Sequence, residues 1–478
     1  MPNSIGIQWC VKRKSKTRRF KAKQERALLW AMATMGSVEL PDARLSQRAV
    51  AILMAKAARP GDSIAQGNPR SAAVKGTYRF EENERVRPEP IWKPIHEHTA
   101  KGFAGLARIV SVQDTVCLMF AGLKATTGLG TADQAREEAL WMHSALALRL
   151  DGHVLGLLHN YVWARPLAEF GKGHQAKKRP FDDKESFEWV RGMRHTAELR
   201  DAFSPTTSIL TIADSASDVH EVLAEATARP GDDAIIRASQ NRRVAGDYAS
   251  VRAKLEAQKP LDRLKVAVPR KQGERKRKAR VEVRASAVTL LPPQHSRGLQ
   301  PVTINVLWVH EPNPPKGVEA LDWLLFTTLP IATVADRSEV VRLYKLRWRI
   351  EEFHLALKSG CHIEKTQLKT AARIQILLPF FCAVAARLVQ LTYWARTEPN
   401  APCTVALSEI EWTVAWRQTH GAPPPRGLKA PTVAEAIRMI GRLGGHLGRK
   451  GDGMPGVRNM WRGWRDLGIL VEYHQTFL

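Results

Sequence analysis

The sequence lacks the cysteine pattern of a disulfide framework or a zinc finger. No C-x-x-C pair occurs, and the number of cysteines is odd. They are Cys10, Cys117, Cys361, Cys382 and Cys403. This usage favours a reducing cytoplasm over an oxidising compartment. Cys361 and His362 stand side by side, but no second pair at ligand spacing accompanies them, so we expect no zinc site.

Long apolar runs are also missing. The longest run, ILLPFFCAVAA, ends before Arg387 and contains Pro379. A membrane span needs roughly 20 apolar residues, so this run predicts a buried helix and no membrane association. The basic residues near the N-terminus are followed by no apolar stretch, so we expect no signal peptide.

Acidic residues are too few to balance the basic ones. The chain has 73 Lys and Arg against 47 Asp and Glu, a formal net charge of +26. Such an excess repels itself in the compact state unless an anion neutralises it. Nucleic acid is the expected partner, because each neutralised phosphate releases counterions. A membrane surface is disfavoured, since the basic residues are spread along the chain rather than gathered at one anchor. No phosphate loop or dinucleotide fingerprint points to a nucleotide-using metabolic enzyme.

The character of the sequence changes along the chain of 478 residues. Residues 1–37 are basic and poorly patterned, and 38–105 repeat apolar and basic residues at helical spacing. Residues 106–360 mix strand and helix patterns, with a β-rich stretch at about 238–330 that a basic loop, RKQGERKRKAR, interrupts. Residues 361–478 are mostly helical in pattern. The sequence therefore predicts a basic arm followed by three folded parts.

Strand and helix patterns alternate in the central part. RIVSVQD is a β-type run that ends in Asp114, and two apolar runs then flank Asp151-Gly152, a hairpin signal. TSILTIAD ends in Asp214, a helical pattern follows, and AIIRAS is another strand pattern. This order predicts an α/β fold with a mixed sheet. An RNase H-like core with an antiparallel β insertion before its last helix fits the pattern.

One stretch, YKLRWRIEEFHLALKSG (344–360), sets carboxylates among basic residues. On an α-helix with about 100° per residue, Tyr344, Arg347, Glu351 and Lys358 fall within about 60° of one another. The apolar residues fall on the opposite side: Leu346, Ile350, Phe353 and Leu357. The stretch predicts one long helix with a polar Tyr-Arg-Glu-Lys face. A solvated helix with an Arg347–Glu351 ion pair is the alternative.

Two aspartates far from Glu351 in the sequence indicate a function for its carboxylate. Asp114 and Asp214 each end a β-type run, and active sites of α/β sheets lie at strand ends. Together with Glu351 they would form an all-oxygen, negatively charged pocket, which Mg²⁺ prefers. Two such ions activate a water or a 3′-hydroxyl and stabilise the leaving oxygen of a phosphodiester. The alternative for each aspartate is a helix cap or turn residue, and Asp218 is a further cap candidate.

Four residues at fixed spacing, Tyr344, Arg347, Glu351 and Lys358, form a tetrad. This tetrad resembles the Y-R-E-K signature of the Tn5 family of bacterial insertion-sequence DDE transposases. RWRIEEFH is close to the wording of that family, SVQDT resembles its first-Asp segment and LTIADSASDVH its second. LPDARLSQRAVAI and VKGTYRF resemble its DNA-binding domain, and RLGGHLGRKGDGMPG and WRGW resemble its C-terminal part. The similarity covers roughly residues 38–478.

The resemblance implies an organisation and an activity. It implies a helical domain for transposon-end DNA at 38–105, an RNase H-like DDE core at 106–360 and a helical dimerisation domain at 361–478. Such enzymes act as homodimers on two transposon ends in the bacterial cytoplasm, associated with the nucleoid. They nick DNA, form and open a hairpin on the transposon end, and join it to target DNA in cut-and-paste transposition. They need two Mg²⁺ ions, for which Mn²⁺ substitutes.

The resemblance also implies roles for single residues. Asp114, Asp214 and Glu351 match the catalytic metal ligands. A second set matches positions that contact DNA: Tyr344, Arg347, Lys358, Trp323 and Arg237. Within that set, Tyr344, Arg347 and Lys358 hold phosphates beside the scissile bond. Trp323 matches an insertion-domain tryptophan that stacks on a flipped base, whereas a half-buried strand residue is its ordinary alternative.

Three departures from the family pattern leave an alternative function open. Leu355 stands where the best-known member has a lysine, and the second-Asp segment reads DSASD without the charged residues that often separate its aspartates. The first 37 residues do not resemble the usual opening of the family. These features favour, as the alternative, an inactive or inhibitory DNA-binding relic. An RNase H-like nuclease without a transposon partner is a third hypothesis.

Overall fold

The computed structural model describes most of the chain. The described residues are 25–68, 71–120, 122–123, 125–133, 138–171, 179–268, 277–294 and 298–477. Two sequence predictions therefore lie largely or partly outside it, namely the basic N-terminal arm and the basic loop of the β-rich stretch. Cys10 lies outside it as well.

Within its described residues, the N-terminal part has four helices. They are α1 (Glu25–Met35), α2 (Ala43–Ala58), α3 (Ser71–Glu81) and α4 (Glu89–Lys101). Asp42 caps α2 by accepting a 2.8 Å hydrogen bond from the Arg44 backbone N–H, and α2 buries Ala49, Val50 and Leu53. The helical prediction for 38–105 is confirmed. The prediction of an unpatterned arm up to residue 37 is wrong from Glu25 onward, because ERALLWAMATM carries its apolar residues at helical spacing.

A single nine-stranded mixed sheet runs through the centre of the molecule. Its strands are β1 (Arg108–Met119), β2 (Ala139–Leu148), β3 (Val154–Trp163), β4 (Ser208–Ala213), β5 (Asp233–Arg237), β6 (Asp262–Val268), β7 (Arg277–Leu290), β8 (Val302–His310) and β9 (Asp322–Thr327). Their order is β3-β2-β1-β4-β5-β9-β8-β7-β6. The pairs β1/β4 and β4/β5 are parallel, and the other pairs are antiparallel. The predicted α/β fold with a mixed sheet and an RNase H-like core is confirmed.

Helices α5 (Phe187–Phe203) and α6 (His220–Thr227) supply the crossovers between the parallel strands. Side chains of each strand alternate between the two faces of the sheet. Leu210 and Ile212 of β4 therefore join one apolar core, whereas Ala213 joins another with Ile236 of β5. The hairpin predicted at Asp151-Gly152 joins β2 to β3, and Gly152 adopts a φ of 86° there.

The β insertion extends the core sheet. Strands β6 to β9 pair with one another in antiparallel fashion, and β9 pairs with β5 of the core, as Ile236↔Phe326 shows. A short helix, α7 (Val251–Glu256), precedes them. The buried Arg337 guanidinium donates a 3.1 Å hydrogen bond to Asp262 at the start of β6. The insertion is thus fixed by backbone pairing at one edge and by a buried ion pair at the other.

The predicted single long helix at 344–360 is wrong. The structure has α8 (Val334–Tyr344), a 3₁₀ turn (Lys345–Arg347), α9 (Trp348–Leu355) and a π turn (Ala356–Gly360). The apolar stripe is nevertheless buried as predicted. Short 3₁₀ and π segments keep the chain helical but change the direction of each side chain. As a result Tyr344 is buried, although it stays beside Arg347, and Lys358 lies on the π turn, where its ammonium group bonds to the Cys117 carbonyl.

Helix α8 begins with a capping box, which supplies a first prediction. The Asp336 backbone N–H donates a 3.1 Å hydrogen bond to the Thr333 hydroxyl, and the Asp336 carboxylate accepts one of 2.9 Å from the Thr333 N–H. We expect Thr333→Ala to lower the free energy of unfolding by about 1 kcal/mol, because an orphaned helix N–H loses its acceptor. Urea unfolding would measure this loss, and Thr333→Ser should retain most of the stability. Equal losses in both variants would argue against a capping role.

Four helices form the C-terminal part: α10 (Ala371–Thr397), α11 (Glu409–His420), α12 (Val433–Leu443) and α13 (Val457–Phe477). Helix α10 has 27 residues and is long and apolar enough to cross a membrane. The apolar run considered from the sequence is shorter than this helix, which contains it. The prediction of a buried helix is confirmed, because 83% of its most apolar window lies inside the protein. A core helix passes the same test of length and composition, and α10 packs against β3, α2 and α4.

Candidate active site

The parallel pairing of β1 and β4 brings the two predicted aspartates to the same level of the sheet. The last paired residues are Gln113 and Ala213, so Asp114 and Asp214 follow on neighbouring strands. The prediction that Asp114 ends its strand is wrong, because β1 continues to Met119 in antiparallel pairing with β2. Asp214 does follow the end of β4. Asp114 and Asp214 lie at the same level because β4, the parallel partner of β1, ends at Ala213.

Asp114 is a buried carboxylate in a crowded acidic setting. It is 8% exposed, and its Oδ1 accepts a 2.8 Å hydrogen bond from the Thr115 N–H. Burial, together with the charges of Asp214 and Glu351, raises the pKa of Asp114 to about 8 against the opposing effects of Arg347 and the Thr115 N–H. Three carboxyl groups thus act on one another at this point of the sheet. Such mutual repulsion is typical of a site that a cation neutralises.

Glu351 projects toward this point from the first turn of α9. The Arg347 guanidinium donates a 3.1 Å hydrogen bond to Glu351 Oε1, and the same nitrogen lies 3.9 Å from Asp114 Oδ2. The intrahelical ion pair considered from the sequence is therefore present. Its guanidinium, however, also faces Asp114 and so lies between two carboxylates that belong to different elements.

His354 is a member of the site that the sequence reasoning missed. Its Nδ1 lies 3.9 Å from Asp114 Oδ2, and it follows Glu351 by almost one helical turn. The potential ligand atoms of Asp114, Glu351 and His354 all lie within 4.8 Å of one another. Burial lowers the pKa of His354 to about 3, with Lys358, His143 and Arg347 acting in the same direction. The ring is thus neutral, and its spacing from Glu351 was the signal available in the sequence.

The donor set fits a divalent cation. Carboxylate oxygens are the ligands that Mg²⁺ and Mn²⁺ prefer, and the raised pKa of Asp114 reflects its burial beside two further carboxylates, whose charges a cation would offset. Asp214 lies outside the group of three whose ligand atoms approach within 4.8 Å. Its Oδ1 instead accepts a 2.9 Å hydrogen bond from the Ala216 N–H, so Asp214 also caps a short 3₁₀ turn as the alternative predicted. Its charge still acts on Asp114.

The remaining cap candidate, Asp218, has a structural role of a different kind. It is 2% exposed, and its carboxylate accepts a 2.6 Å hydrogen bond from Arg242 and a 2.7 Å one from the Ser239 N–H. The residue that caps α6 is Val219. The prediction of Asp218 as a helix cap is therefore wrong. Its buried ion pair instead holds the segment after β5 beside the segment after β4.

An aromatic pair adjoins the acidic site. Tyr344 is 3% exposed, and its ring packs edge-on against Trp323 of β9 with 5.2 Å between centroids. Burial raises the pKa of Tyr344, whereas Arg347 and Arg237 lower it and the charge of Asp214 raises it. Trp323 is partly buried. The structure thus places four predicted DNA-contacting residues side by side, although Tyr344 lies inside the protein rather than on the predicted exposed face.

Lys358 lies apart from these four residues, on the π turn. Its ammonium group donates a 2.6 Å hydrogen bond to the Cys117 carbonyl and lies 3.1 Å from Glu364. Cys117 belongs to β1, three residues beyond Asp114. Lys358 therefore borders the site from the side of β1, and its ammonium group is already paired in this structure.

The carboxylate next in sequence to Glu351 points elsewhere. Glu352 accepts a hydrogen bond from the Tyr393 hydroxyl of α10, and Arg349 lies over the Tyr393 ring at 3.7 Å from its centroid. These contacts attach α9 to α10 on one side. Because successive helical residues point about 100° apart, they leave Glu351 on the side of Asp114.

Comparison with known families gives three matches along the chain. The family models described as "Transposase DNA-binding", "Transposase DDE domain" and "Transposase Tn5 dimerisation domain" match residues 28–86, 190–385 and 383–476. The middle match contains Asp214 and Glu351, whereas Asp114 precedes it. The first match begins inside the stretch that did not resemble the family from the sequence. The matches support DNA binding, dimer formation and a DNA-processing enzyme that uses divalent metal ions.

Proposed function

Because the chain belongs to the Tn5-type DDE transposases, we propose that it carries out cut-and-paste transposition of its own element. The observation that carries the proposal is the approach of Glu351 to Asp114, with Asp214 at the same level of the neighbouring strand. The proposed steps are nicking at the transposon ends, hairpin formation, hairpin opening by water and joining to target DNA. The proposed setting is a homodimer on two transposon ends in the bacterial cytoplasm, associated with the nucleoid.

We propose that Asp114, Asp214 and Glu351 hold two Mg²⁺ ions, for which Mn²⁺ would substitute. When bound, these ions would activate a water or a 3′-hydroxyl and stabilise the leaving oxygen. The chain itself supplies the rigid frame, since Asp114 sits on a hydrogen-bonded strand, Asp214 directly follows the neighbouring strand, and Glu351 sits on a helix anchored through Glu352. A preorganised site of this kind avoids reorganisation during the reaction.

The basic and aromatic residues around the carboxylates would hold the DNA. Arg347 lies against the carboxylates and could reach a phosphate beside them, because a guanidinium forms paired hydrogen bonds to phosphate oxygens. Lys358 and Arg237 border the same region and would add phosphate contacts. Tyr344 supports Trp323, whose partly buried ring would stack on a base turned out of the duplex. Phosphate contacts fix the register of the DNA on the protein.

The proposal is tested with the full chain, Mg²⁺ and a DNA fragment that carries the sequences flanking its gene. We expect a specific mobility shift of end DNA at a salt concentration that abolishes non-specific binding. We also expect nicked and hairpinned ends, and joined products when target DNA is added. Neither shift nor products would favour the inactive relic. Cleavage without joining would favour a nuclease with no transposon partner. A shift without products would place a defect in the core, with Leu355 and the DSASD segment as first suspects.

The proposed role of Trp323 gives a second prediction. We expect Trp323→Ala to leave the first nick nearly unchanged but to slow hairpin formation about tenfold to a hundredfold, because base stacking is worth roughly 1–3 kcal/mol. Single-turnover assays that resolve nicked from hairpinned DNA would measure both rates. Trp323→Phe keeps an aromatic face and should retain most of the hairpin rate. An equal loss of both steps in Trp323→Ala would mean that the ring only supports Tyr344.

A further inference from the structure

We propose that His354 supplies a nitrogen ligand to the divalent cation held between Asp114 and Glu351. The cation site would then be a mixed oxygen and nitrogen site rather than an all-carboxylate one. This inference rests on the proposed function, because it concerns the same cation. It adds a ligand that the spaced tetrad does not contain.

The first argument is distance. Two ligand atoms that share a cation at about 2.1 Å from each can lie at most about 4.2 Å apart. His354 Nδ1 and Asp114 Oδ2 are 3.9 Å apart and already meet that limit. All three groups offer ligand atoms within 4.8 Å of one another. A side-chain movement of less than about 1 Å would therefore bring all three within bonding distance of one cation. Glu351 is the most exposed of the three and the freest to move.

The second argument is the position of the imidazole ring. His354 is 6% exposed and lies one residue after the buried Phe353, whose ring centroid is 5.4 Å away. Packing therefore fixes the ring, and its Nδ1 faces Asp114. The Nε2 atom is buried without a hydrogen-bond partner among the described residues. Because Nδ1 is the ring atom that faces Asp114, Nδ1 and not Nε2 would coordinate the cation.

The third argument is the spacing along α9. Residues three apart on a helix lie on neighbouring parts of its surface, so Glu351 and His354 reach the same point together. Glu352 and Phe353 between them face α10 and the core instead. The pair on one helix and Asp114 on β1 thus converge from two elements that backbone hydrogen bonds make rigid.

A nitrogen ligand changes which cation the site prefers. Mg²⁺ and Ca²⁺ take oxygen ligands almost without exception, whereas Mn²⁺ prefers oxygen but, as a transition-metal ion, also accepts an imidazole nitrogen. We therefore expect the metal-free protein to bind Mn²⁺ more tightly than Mg²⁺. We also expect this preference to depend on His354.

Pulsed electron paramagnetic resonance of Mn²⁺ bound to the full chain, without DNA, tests the inference directly. A coordinated imidazole gives a ¹⁴N modulation of the Mn²⁺ signal, whereas carboxylates and water give none. We expect the modulation in the wild type, its loss in His354→Gln and His354→Asn, and its retention in His362→Gln. His362 is the matched control, because it lies in the same region but bonds to the Gly61 carbonyl. Titration of Mn²⁺ should show at least a tenfold weaker affinity in His354→Gln, with a smaller change for Mg²⁺.

The outcomes separate this inference from the proposed function. Bound Mn²⁺ that is lost in Glu351→Gln but shows no ¹⁴N modulation in the wild type would overturn the role of His354 and leave the carboxylate site standing. Modulation that persists in both folded His354 variants would overturn it as well. A wild type that binds no Mn²⁺ would contradict both the inference and the metal-dependent function. The wild-type spectrum alone decides the first point, so the test does not depend on how the variants fold.

Discussion

Replacing Glu351 with glutamine is expected to abolish DNA nicking while leaving binding of end DNA intact. The amide keeps the size of the side chain but removes the negative charge that would hold a divalent cation against Asp114. Loss of metal-assisted stabilisation should lower the nicking rate roughly a thousandfold, which corresponds to about 4 kcal/mol. Binding should persist because it depends on the basic surface. Single-turnover nicking and a mobility-shift assay with the same end DNA would measure the two properties separately.

A matched control for this variant is present on the preceding helix. Glu339 of α8 pairs with Arg342 at 2.6 Å, as Glu351 of α9 pairs with Arg347 of the preceding 3₁₀ turn, but Glu339 lies outside the acidic site. Glu339→Gln should therefore retain nicking. If Glu351→Gln cleaved DNA at a rate near that of Glu339→Gln, Glu351 would be a surface ion-pair partner and the ligand assignment would be wrong.

Replacing Asp114 with asparagine is expected to abolish nicking as well, but to stabilise the metal-free protein. The asparagine oxygen can still accept the hydrogen bond from Thr115, whereas the repulsion from Asp214 and Glu351 disappears. At pH 8 the gain in unfolding free energy should be on the order of 5 kcal/mol, because the pKa rises from 3.8 to about 8 on folding and each pKa unit is worth about 1.4 kcal/mol. A variant that gains stability as it loses activity separates a functional carboxylate from a structural one.

The pH dependence of this gain follows from the direction of the shift. The pKa of Asp114 is raised from 3.8 to about 8 on folding, so the folded protein retains a proton that the unfolded chain releases. The contribution of this group is fully present below pH 3.8 and is lost as the pH rises toward 8. The difference between Asp114→Asn and the wild type should therefore grow from pH 5 to pH 8. Urea unfolding at both values would measure it, and saturating Mg²⁺ should stabilise the wild type only. Parallel pH profiles would contradict the raised pKa.

Much of the fold could be predicted from the sequence, because the spacing of apolar residues and the residue types of turns determine strands, helices and hairpins locally. The apolar run of TSILTIAD and the Asp151-Gly152 pair led to the correct strand and hairpin. The stripe that includes Ile350 and Phe353 led to the correct buried side of the motif. The course of β1 beyond Asp114 could not be read in this way. It depends on how far β2 runs beside it, which is a long-range property of the sheet.

The details of the site were less predictable. A helical period of 3.6 residues does not distinguish α from 3₁₀ or π geometry over a few residues. The break at Tyr344 was therefore missed, and with it the burial of that residue. His354 was missed because a histidine on an amphipathic helix ordinarily packs in the core, and only the arrival of Asp114 from a distant strand gives it a partner. Convergence of residues far apart in sequence is what the three-dimensional structure adds.

The continuous sheet also fixes the spacing between two of the residues that are proposed to act on DNA. Asp114 lies on β1 and Trp323 on β9, which are three strand steps apart through β4 and β5. At about 4.8 Å per step, these two strands lie roughly 14 Å apart across the sheet. Backbone hydrogen bonds at each step make this separation hard to change. Under the proposed function, we therefore expect a base that stacks on Trp323 to come from a nucleotide displaced from the scissile phosphate, and we expect the sheet to set how far the DNA is distorted to reach both.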